Sequence, residues 1–194
     1  AVLGAFAFAM AIGILLELLD QHIRSPKDIT RLTTLPLIAS IPHRDEDPLL
    51  KSIEDPLTTA DFPNSTTANE YRRVLARLLY PEEESAEINS LLICSPTSGD
   101  GKSSLATNLA VALSQANRNV LLIDLNSQSP MIEHLLGLSI SVGMSEFLDG
   151  ERPREDLLQW TDFESLRVVG PGLDANKLSG RLASRKMMEF LEWA

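Results

Sequence analysis

The sequence has very little cysteine and histidine, which limits the kinds of site that it can hold. It contains one cysteine, so no disulfide can form within the chain. Cys94 lies in an apolar run, where a small buried side chain is more common than a nucleophile. The three histidines lie in different segments without the spacing of metal ligands. These shortages argue against a disulfide-stapled fold, a thiol enzyme and a histidine metal centre.

Basic residues are also few. The chain has 17 lysines and arginines against 27 aspartates and glutamates, which gives a formal charge of −10. Affinity for a phosphate backbone would be weak without a basic stripe, so we expect no nucleic-acid partner. The 194 residues, of which 44% are hydrophobic, fit a globular α/β core plus one apolar segment.

The most informative segment that is present runs from Cys94 to Ser104. It lies between an apolar run, residues 88–94, and an amphipathic run, residues 105–116, which predicts a strand, a loop and a helix. This order is typical of a phosphate-binding P-loop. Pro96 stands where the commonest spacing, G-x-x-x-x-G-K-[ST], has glycine, so the loop belongs to a less common subtype. The residues that we expect to bind the cofactor are Ser98, Gly99, Asp100, Gly101, Lys102, Ser103 and Ser104.

The residue types in this loop suit an anion. Gly99 and Gly101 allow the backbone to turn its N–H groups inward, and the start of the helix adds partial positive charge. Lys102 supplies a cation that reaches between phosphates, and Ser103 offers a hydroxyl to Mg²⁺. A chance glycine turn would explain the two glycines but not the Lys-Ser pair. The sequence therefore predicts nucleotide binding.

Strand and helix patterns alternate along the second half of the chain, which predicts a P-loop α/β fold with a parallel sheet and flanking helices. The predicted strands are 88–94, 120–125 and 166–169, and the predicted helices are 102–116, around 131–136, around 144–148, and 182–193.

Asp124 comes at the C-terminal end of the predicted strand that follows the P-loop helix. In open α/β sheets this edge faces the ligand crevice. Asp124 is therefore a candidate for contact with Mg²⁺ or with an attacking group, and the alternative is an aspartate that caps a turn or a helix.

Residues 1–19 are almost entirely apolar. As a helix they would be ~28 Å long, close to the ~30 Å hydrocarbon core, which predicts a transmembrane helix. A signal peptide is disfavoured because no basic region precedes the run, and a buried core helix remains an alternative. Basic residues follow the run and favour the cytoplasm on this side: Arg24, Lys27 and Arg31. Small residues recur at every fourth position, which would suit packing against another membrane helix: Ala1, Ala5, Ala9 and Gly13.

We divide the chain into four regions. Residues 1–19 form the transmembrane helix and residues 20–42 a juxtamembrane cytoplasmic segment. Residues 43–66 are rich in Asp, Pro, Thr and Ser and are interpreted as a linker. Residues 67–194 form the P-loop domain, beginning with an amphipathic helix. The chain starts with alanine and stops within a helical pattern, so we expect a piece of a longer protein with a P-loop domain truncated at its C-terminus.

Several motifs together resemble the ATPase domain of bacterial tyrosine kinases. They are Ser98 to Ser104, Ala106-Thr107-Asn108-Leu109-Ala110, Leu121-Leu122-Ile123-Asp124, Pro130 and Gly143-Met144-Ser145. These kinases are the polysaccharide co-polymerase autokinases of the Wzc/CapB type, relatives of the ParA/MinD ATPases. The apolar segment and the run from Leu35 to Pro42 are similar to the second membrane helix and cytoplasmic exit of those co-polymerases.

The resemblance implies ATP and Mg²⁺ as cofactors and phosphoryl transfer to tyrosine. Lys102 and Ser103 would serve the triphosphate and Mg²⁺, and Asp124 would lie near the metal and the incoming tyrosine hydroxyl. The family usually has a second aspartate where Asn126 stands and an arginine near Gln128, so the carboxylate pair is halved. The resemblance therefore leaves open whether the chain is an active enzyme.

The resemblance also implies partners. The family forms homo-oligomers through a helix with the pattern Glu-x-x-Arg-x-x-Arg, which matches at Glu70 and Arg73 but has Ala76, with Arg77 displaced by one. The membrane helix would contribute to the same oligomer. The expected setting is the bacterial inner membrane, with the P-loop domain in the cytoplasm, where the protein regulates assembly, chain length or export of a surface polysaccharide with its polymerase and export machinery.

Two alternatives remain at this point. One is a non-catalytic regulator that only binds nucleotide, and the other is a positioning ATPase of the ParA/MinD type, which would need no spanning helix.

Overall fold

A computed structural model describes residues 6, 10–13, 15, 29, 33–54, 57–80, 88–139, 141–174, 176 and 178–194. The chain divides into two compact units, Ala1–Ser40 and Ile41–Ala194.

The first unit contains the predicted transmembrane segment, most of which lies outside the described residues. The described positions within it are residues 6, 10–13 and 15, which are helical and exposed. Among all described residues, no helix combines the length and the apolar character needed to cross a membrane. The basic residues Arg24, Lys27 and Arg31 also lie outside the described residues.

The second unit alternates helices and short strands. Two short 3-10 helices, Arg44–Glu46 and Arg154–Leu157, accompany the longer elements. The helices are α1 (Thr58–Asp61), α2 (Thr66–Leu79), α3 (Lys102–Gln115), α4 (Ile132–Leu135), α5 (Met144–Asp149) and α6 (Arg185–Trp193). The strands are β1 (Val120–Ile123), β2 (Gln159–Trp160) and β3 (Leu166–Val169).

The three described strands form a small mixed sheet in the order β1-β3-β2. β1 and β3 are parallel, with Ile123 opposite Val169, whereas β2 runs antiparallel to β3. The prediction of a parallel sheet is therefore confirmed for β1 and β3 but wrong for the edge strand. β2 has only two residues, too few for an alternating pattern to reveal it in the sequence.

Alternate residues of the strands face opposite sides of this sheet. Leu121, Ile123 and Val169 contribute to one apolar cluster with residues of α5 and α6. Val120, Leu122 and Leu166 contribute to a second cluster with Ala110 and Val111 of α3. The sheet is thus covered by helices on both faces, and the C-terminal ends of β1 and β3 lie side by side.

The predicted strand at residues 88–94 is not a strand in the structure. These residues are irregular, and the side chains of Ile88, Leu91 and Leu92 are 46%, 51% and 82% exposed. A strand forms only when a neighbour satisfies its N–H and C=O groups, and none of the described strands pairs with this segment. Cys94, which we interpreted as buried, is exposed for the same reason.

Residues 43–66, interpreted as a linker, carry two short helices and belong to the same compact unit as the P-loop. Among the described residues of this range, four polar side chains are buried, which an apolar periodicity could not predict: Asp47, Thr58, Thr59 and Ser65. Ser65 caps α2 by accepting a 3.0 Å hydrogen bond from the N–H of Ala68. The amphipathic face of α2 is confirmed, because Tyr71, Val74 and Leu75 are buried.

Candidate functional site: the P-loop and the C-terminal edge of the sheet

The P-loop has the backbone that the two glycines were expected to provide. Gly99 and Gly101 have φ angles of +89° and +86°, a left-handed conformation that side chains with a Cβ rarely adopt. Gly101 is the N-cap residue of α3, and its carbonyl accepts from the N–H of Leu105 at 2.8 Å. No described atom lies within 4 Å of a Cβ built on either glycine, so the space beside the loop is open. The loop therefore leads directly into a helix N-terminus that can attract an anion.

Lys102 folds back over this loop. Its ammonium Nζ donates to the hydroxyl of Ser95 at 2.7 Å and to the carbonyl of Thr97 at 2.8 Å. Ser95 Oγ in turn donates to the Thr97 carbonyl at 3.0 Å. The cation is therefore held against the loop, where a bound phosphate would meet both the ammonium and the loop backbone.

Asp100 also holds the loop through Thr97. Its carboxylate accepts from Thr97 Oγ1 at 2.5 Å and from the Thr97 N–H at 3.0 Å. These two bonds, the hydroxyl first, lower the pKa of Asp100, so it is ionised at neutral pH. An ionised carboxylate accepts hydrogen bonds and repels phosphate, which leaves its backbone N–H as the group that could contact a nucleotide. Ser98 is exposed, and Ser103 and Ser104 are half-buried in the first turn of α3.

Asp124 lies at the C-terminal end of β1, as predicted, and only 4% of it is exposed. Its carboxylate accepts from the N–H of Asn126 at 2.9 Å and from the N–H of Ile132 at 3.4 Å. Burial raises the pKa of Asp124 and outweighs the opposite effect of these N–H groups. The described part of the chain shows no hydrogen bond between Asp124 and the P-loop. Asp124 therefore makes the contacts of a residue that caps a turn and a helix, which was the alternative interpretation, and it also lies at the edge of the sheet where a ligand was expected.

Asn126 stands where the resemblance expects a second carboxylate. Its side-chain amide donates to the carbonyl of Ser129 at 2.7 Å, and its Oδ1 accepts from the N–H groups of Gln128 and Ser129, both at 3.3 Å. The side chain of Asn126 therefore closes the turn that follows Asp124.

Mg²⁺ prefers oxygen ligands and usually keeps several waters, taking one or two carboxylates and the phosphates of a nucleotide. Ser103 and Asp124 fit this requirement by donor type, and the buried carboxylate of Asp124 accepts only from backbone N–H groups within the described residues. No group of three or more His, Cys, Asp and Glu side chains that could hold a metal occurs in the described ranges.

Glu146 organises the loop that follows β3, beside the end of β1. Its carboxylate accepts from the N–H groups of Gly143 at 2.8 Å and Leu173 at 3.0 Å and from the Ser145 hydroxyl at 2.9 Å. Burial acts to raise the pKa of Glu146, but these hydrogen bonds together outweigh it and lower the pKa. The sequence motif at 143–145 indicated a special position, but the reach of Glu146 across 27 residues became visible only in the fold.

Sequence reasoning also missed a buried contact between α1 and the P-loop helix α3. Thr59 of α1 and Asn108 of α3 are each 1% exposed and hydrogen-bond to each other. The signal in the sequence was Asn108, a polar residue in the middle of the P-loop helix, where the structure buries residues 107–112.

Comparison with known proteins identifies the fold and the family. The sequence model of the CobQ/CobB/MinD/ParA nucleotide binding domain matches residues 91–190, which include the P-loop and the three strands described above. The chain belongs to this family.

The chain is also similar to bacterial tyrosine kinases. It is 32% identical over 136 residues to the putative tyrosine-protein kinase CapB of Staphylococcus aureus, covering 70% of this chain and 59% of CapB. It is 28% identical over 189 residues to the tyrosine-protein kinase ptk of Acinetobacter johnsonii, covering 93% of this chain and 26% of ptk. The chain therefore spans about three fifths of one of these relatives and a quarter of the other.

Solved structures agree on the fold. The tyrosine kinase domain of BceF superposes with a TM-score of 0.75 at 26% identity, covering 89% of this chain and 72% of that one. The kinase domain of the Escherichia coli tyrosine kinase Etk superposes with a TM-score of 0.79 at 23% identity, covering 89% and 69%. The predicted P-loop α/β fold and the resemblance to bacterial tyrosine kinases are thereby confirmed.

Proposed function

We propose that this chain binds ATP with Mg²⁺ at the P-loop. The observation that carries the proposal is the loop itself: two left-handed glycines lead into α3, and Lys102 is held across the loop by Ser95 and Thr97. Membership of a nucleotide-binding family supports it. In this proposal Lys102 neutralises phosphate charge, the loop N–H groups orient the phosphates, and Ser103 and Asp124 hold Mg²⁺.

We further propose that the chain is part of a membrane-anchored protein-tyrosine kinase that regulates a surface polysaccharide. The two relatives named above are called tyrosine-protein kinases, and the motifs from the P-loop to residue 145 resemble the co-polymerase autokinases. The apolar residues 1–19 would anchor the protein in the inner membrane, with the P-loop domain in the cytoplasm. Mg²⁺ would supply charge neutralisation to the transferred phosphoryl group when bound.

In this proposal the protein forms homo-oligomers through α2 and the membrane helix. It also acts together with a polysaccharide polymerase and export machinery as its partners. On α2, Arg73 donates to Glu70 at 2.6 Å, and the Arg73 side chain is 72% exposed. The Glu70 side chain is only 17% exposed, so the solvent-exposed member of the pair is Arg73. In this proposal the Arg73 guanidinium is the group that would contact another copy.

A non-catalytic nucleotide-binding regulator is a second candidate, and Asn126 favours it. This side chain closes the turn from 126 to 129 and cannot act as a second carboxylate. The two candidates share nucleotide binding and differ in phosphoryl transfer.

The test of nucleotide binding is Lys102→Ala, with Lys51→Ala as a control that removes an exposed cation elsewhere. We expect Lys102→Ala to lose most of the affinity for ATP, roughly 100-fold or about 2.7 kcal/mol, measured by calorimetry with Mg²⁺ present. Lys51→Ala should bind like the wild type. Equal affinities for all three proteins would contradict the proposed P-loop site.

Phosphotyrosine detection after incubation of the full-length protein with labelled ATP and Mg²⁺ separates the two candidates. A signal that is lost in Lys102→Ala supports the kinase, and ATP binding without any signal supports the regulator. Extraction of the protein from membranes only by detergent would exclude a positioning ATPase without an anchor.

A further inference from the structure

We propose that Asn108 is a positioning residue that couples α1 to the P-loop, so that nucleotide binding and the docking of residues 57–62 stabilise each other. This inference rests on nucleotide binding at the P-loop as proposed above. It assigns a regulatory role to a segment that has no glycine motif and no conventional site residue.

The coupling begins with the contact between α1 and α3. The N–H of Thr59 donates to Asn108 Oδ1 at 2.9 Å, and the Thr59 hydroxyl is within 3.2 Å of both Asn108 Oδ1 and the Asn108 carbonyl. Both residues are 1% exposed, so water cannot replace these bonds. Leu57 and Ala60, on either side of Thr59, pack against the cluster of Ala110, Val111 and Leu166.

The other end of the same amide contacts the P-loop turn. Asn108 Nδ2 donates to the carbonyl of Ser104 at 2.9 Å. Ser104 follows Lys102 and Ser103 in the first turn of α3, where the nucleotide phosphates are expected. The amide orientation is determined by both partners, because a flipped amide would place its NH₂ group against the Thr59 N–H.

These contacts make one buried unit. If residues 57–62 leave α3, Asn108 Oδ1 loses the Thr59 groups that orient it, and the amide is free to turn toward other partners. That turn removes the hydrogen bond to Ser104. Conversely, a nucleotide that orders the first turn of α3 keeps Asn108 oriented for Thr59. Linkage then requires each event to favour the other by the same factor.

The experiment compares four proteins: the wild type, Thr59→Val, Thr59→Ser and Thr107→Val. Thr59→Val removes the hydroxyl, and Thr59→Ser keeps it. Thr107→Val is the matched control, since Thr107 is buried next to Asn108 and its hydroxyl makes no hydrogen bond within the described part of the chain. Two quantities are measured: the Kd for AMP-PNP with Mg²⁺, and hydrogen exchange of residues 57–62 with and without that nucleotide.

We expect nucleotide to slow exchange of residues 57–62 in the wild type. Thr59→Val should weaken AMP-PNP binding by about three- to tenfold, the range for loss of one buried hydrogen bond, and should reduce the protection. Thr59→Ser should restore both, and Thr107→Val should resemble the wild type. A purely structural role for Thr59 would lower the melting temperature without changing the Kd or the nucleotide-dependent protection.

Asn108→Asp separates the two ends of the bridge. Aspartate can accept from Thr59 but cannot donate to Ser104, so residues 57–62 should stay protected while their response to nucleotide is lost. Tight nucleotide binding by the wild type with no change in exchange at 57–62 would overturn the coupling alone. Failure of the wild type to bind nucleotide would overturn the proposed function and the coupling together.

Discussion

Asp124 is the residue for which a functional role, as a ligand of Mg²⁺ or nucleotide, and a structural role, as a turn-capping aspartate, predict different effects on stability. A capping aspartate stabilises the fold, because its carboxylate is better placed in the folded state than in water. Asp124 is instead buried with a pKa that burial raises, so its ionised form is less favourable in the folded chain than in the unfolded one. Carboxylates that cost stability are expected where a metal or substrate uses them.

This difference predicts the behaviour of Asp124→Asn. A raised folded pKa means that the wild type is penalised at neutral pH and gains stability as the pH falls through the folded pKa toward the ordinary value. In metal-free buffer at pH 7 we expect the melting temperature of Asp124→Asn to equal or exceed that of the wild type. Each kcal/mol gained in the free energy of unfolding should raise the melting temperature by ~2–4 °C. The advantage should shrink as the pH is lowered toward ~4. Thermal melts across pH ~4–8 measure it.

The same variant should bind Mg²⁺–nucleotide more weakly than the wild type, because it removes a negatively charged ligand. A lower melting temperature for Asp124→Asn that does not depend on pH would contradict this interpretation and leave Asp124 as a turn-capping residue.

At the scale of elements, the start of α2 depends on a residue from the supposed linker. Asp47 is 1% exposed, and its carboxylate accepts from the Thr67 N–H and the Thr67 hydroxyl, both at 2.9 Å, and from the Leu49 N–H at 3.1 Å. The Thr67 N–H contributes most to the lowering of the pKa of Asp47 and, with the other bonds, outweighs the effect of burial. A carboxylate at a helix N-terminus also interacts favourably with the helix dipole.

We therefore expect Asp47→Ala to destabilise the protein by about 1.5–3 kcal/mol, the range for hydrogen bonds to a charged group. Because the folded pKa is lowered, this contribution is present above the ordinary pKa of aspartate and is lost as the pH falls through the folded pKa. The difference between variant and wild type in urea unfolding should thus be full at pH 7 and decrease below pH ~4.

Asp45→Ala is the control for this element. Asp45 is two residues away, but its side chain is 61% exposed and its contacts with His43 and Arg44 lie on the surface. Its removal should change stability by less than ~0.5 kcal/mol. Equal effects of the two substitutions would show that residues 43–66 do not support α2.

For the whole molecule, the open question is how the chain lies relative to a membrane. If residues 1–19 span the bilayer with the basic residues inside, a cysteine introduced at position 24 should not react with an impermeant maleimide in intact cells. The variant is Arg24→Cys in a Cys94→Ser background, because Cys94 is exposed and would react itself after lysis.

Two controls make this labelling experiment decisive. The Arg24→Cys protein should label after the cells are broken, which shows that the introduced thiol is reactive. Ser52→Cys in the same background, at an exposed position of the second unit, should behave in the same way. Labelling of the Arg24→Cys protein in intact cells would reverse the proposed orientation.

The sequence by itself determined the parts of this protein that depend on local chemistry. The P-loop follows from two glycines, a lysine and a serine at a helix start, and the structure keeps that backbone. Long helical segments were also predictable, and α2 buries one side as its amphipathic pattern indicated. The helix α3 lies close to its predicted bounds, but it buries six consecutive residues, 107–112, and so is covered on all sides instead of being amphipathic. Strand β3 was predicted with its observed bounds, because Leu166, Val168 and Val169 are apolar and Arg167 lies on the opposite face of the strand from Leu166 and Val168.

The tertiary structure decided what depends on a distant partner. Residues 88–94 have a strand-like sequence but no hydrogen-bonding neighbour among the described strands, and residues 43–66 look like a linker but bury Asp47 and Thr59. The side chains of Asp124 and Asn126 have short polar groups that suit either a metal site or a turn, and only the fold shows which N–H groups they meet. The hydrogen-bond partner of a buried polar side chain cannot be read from the neighbouring sequence, because bonds such as that between Thr59 and Asn108 join residues 49 positions apart.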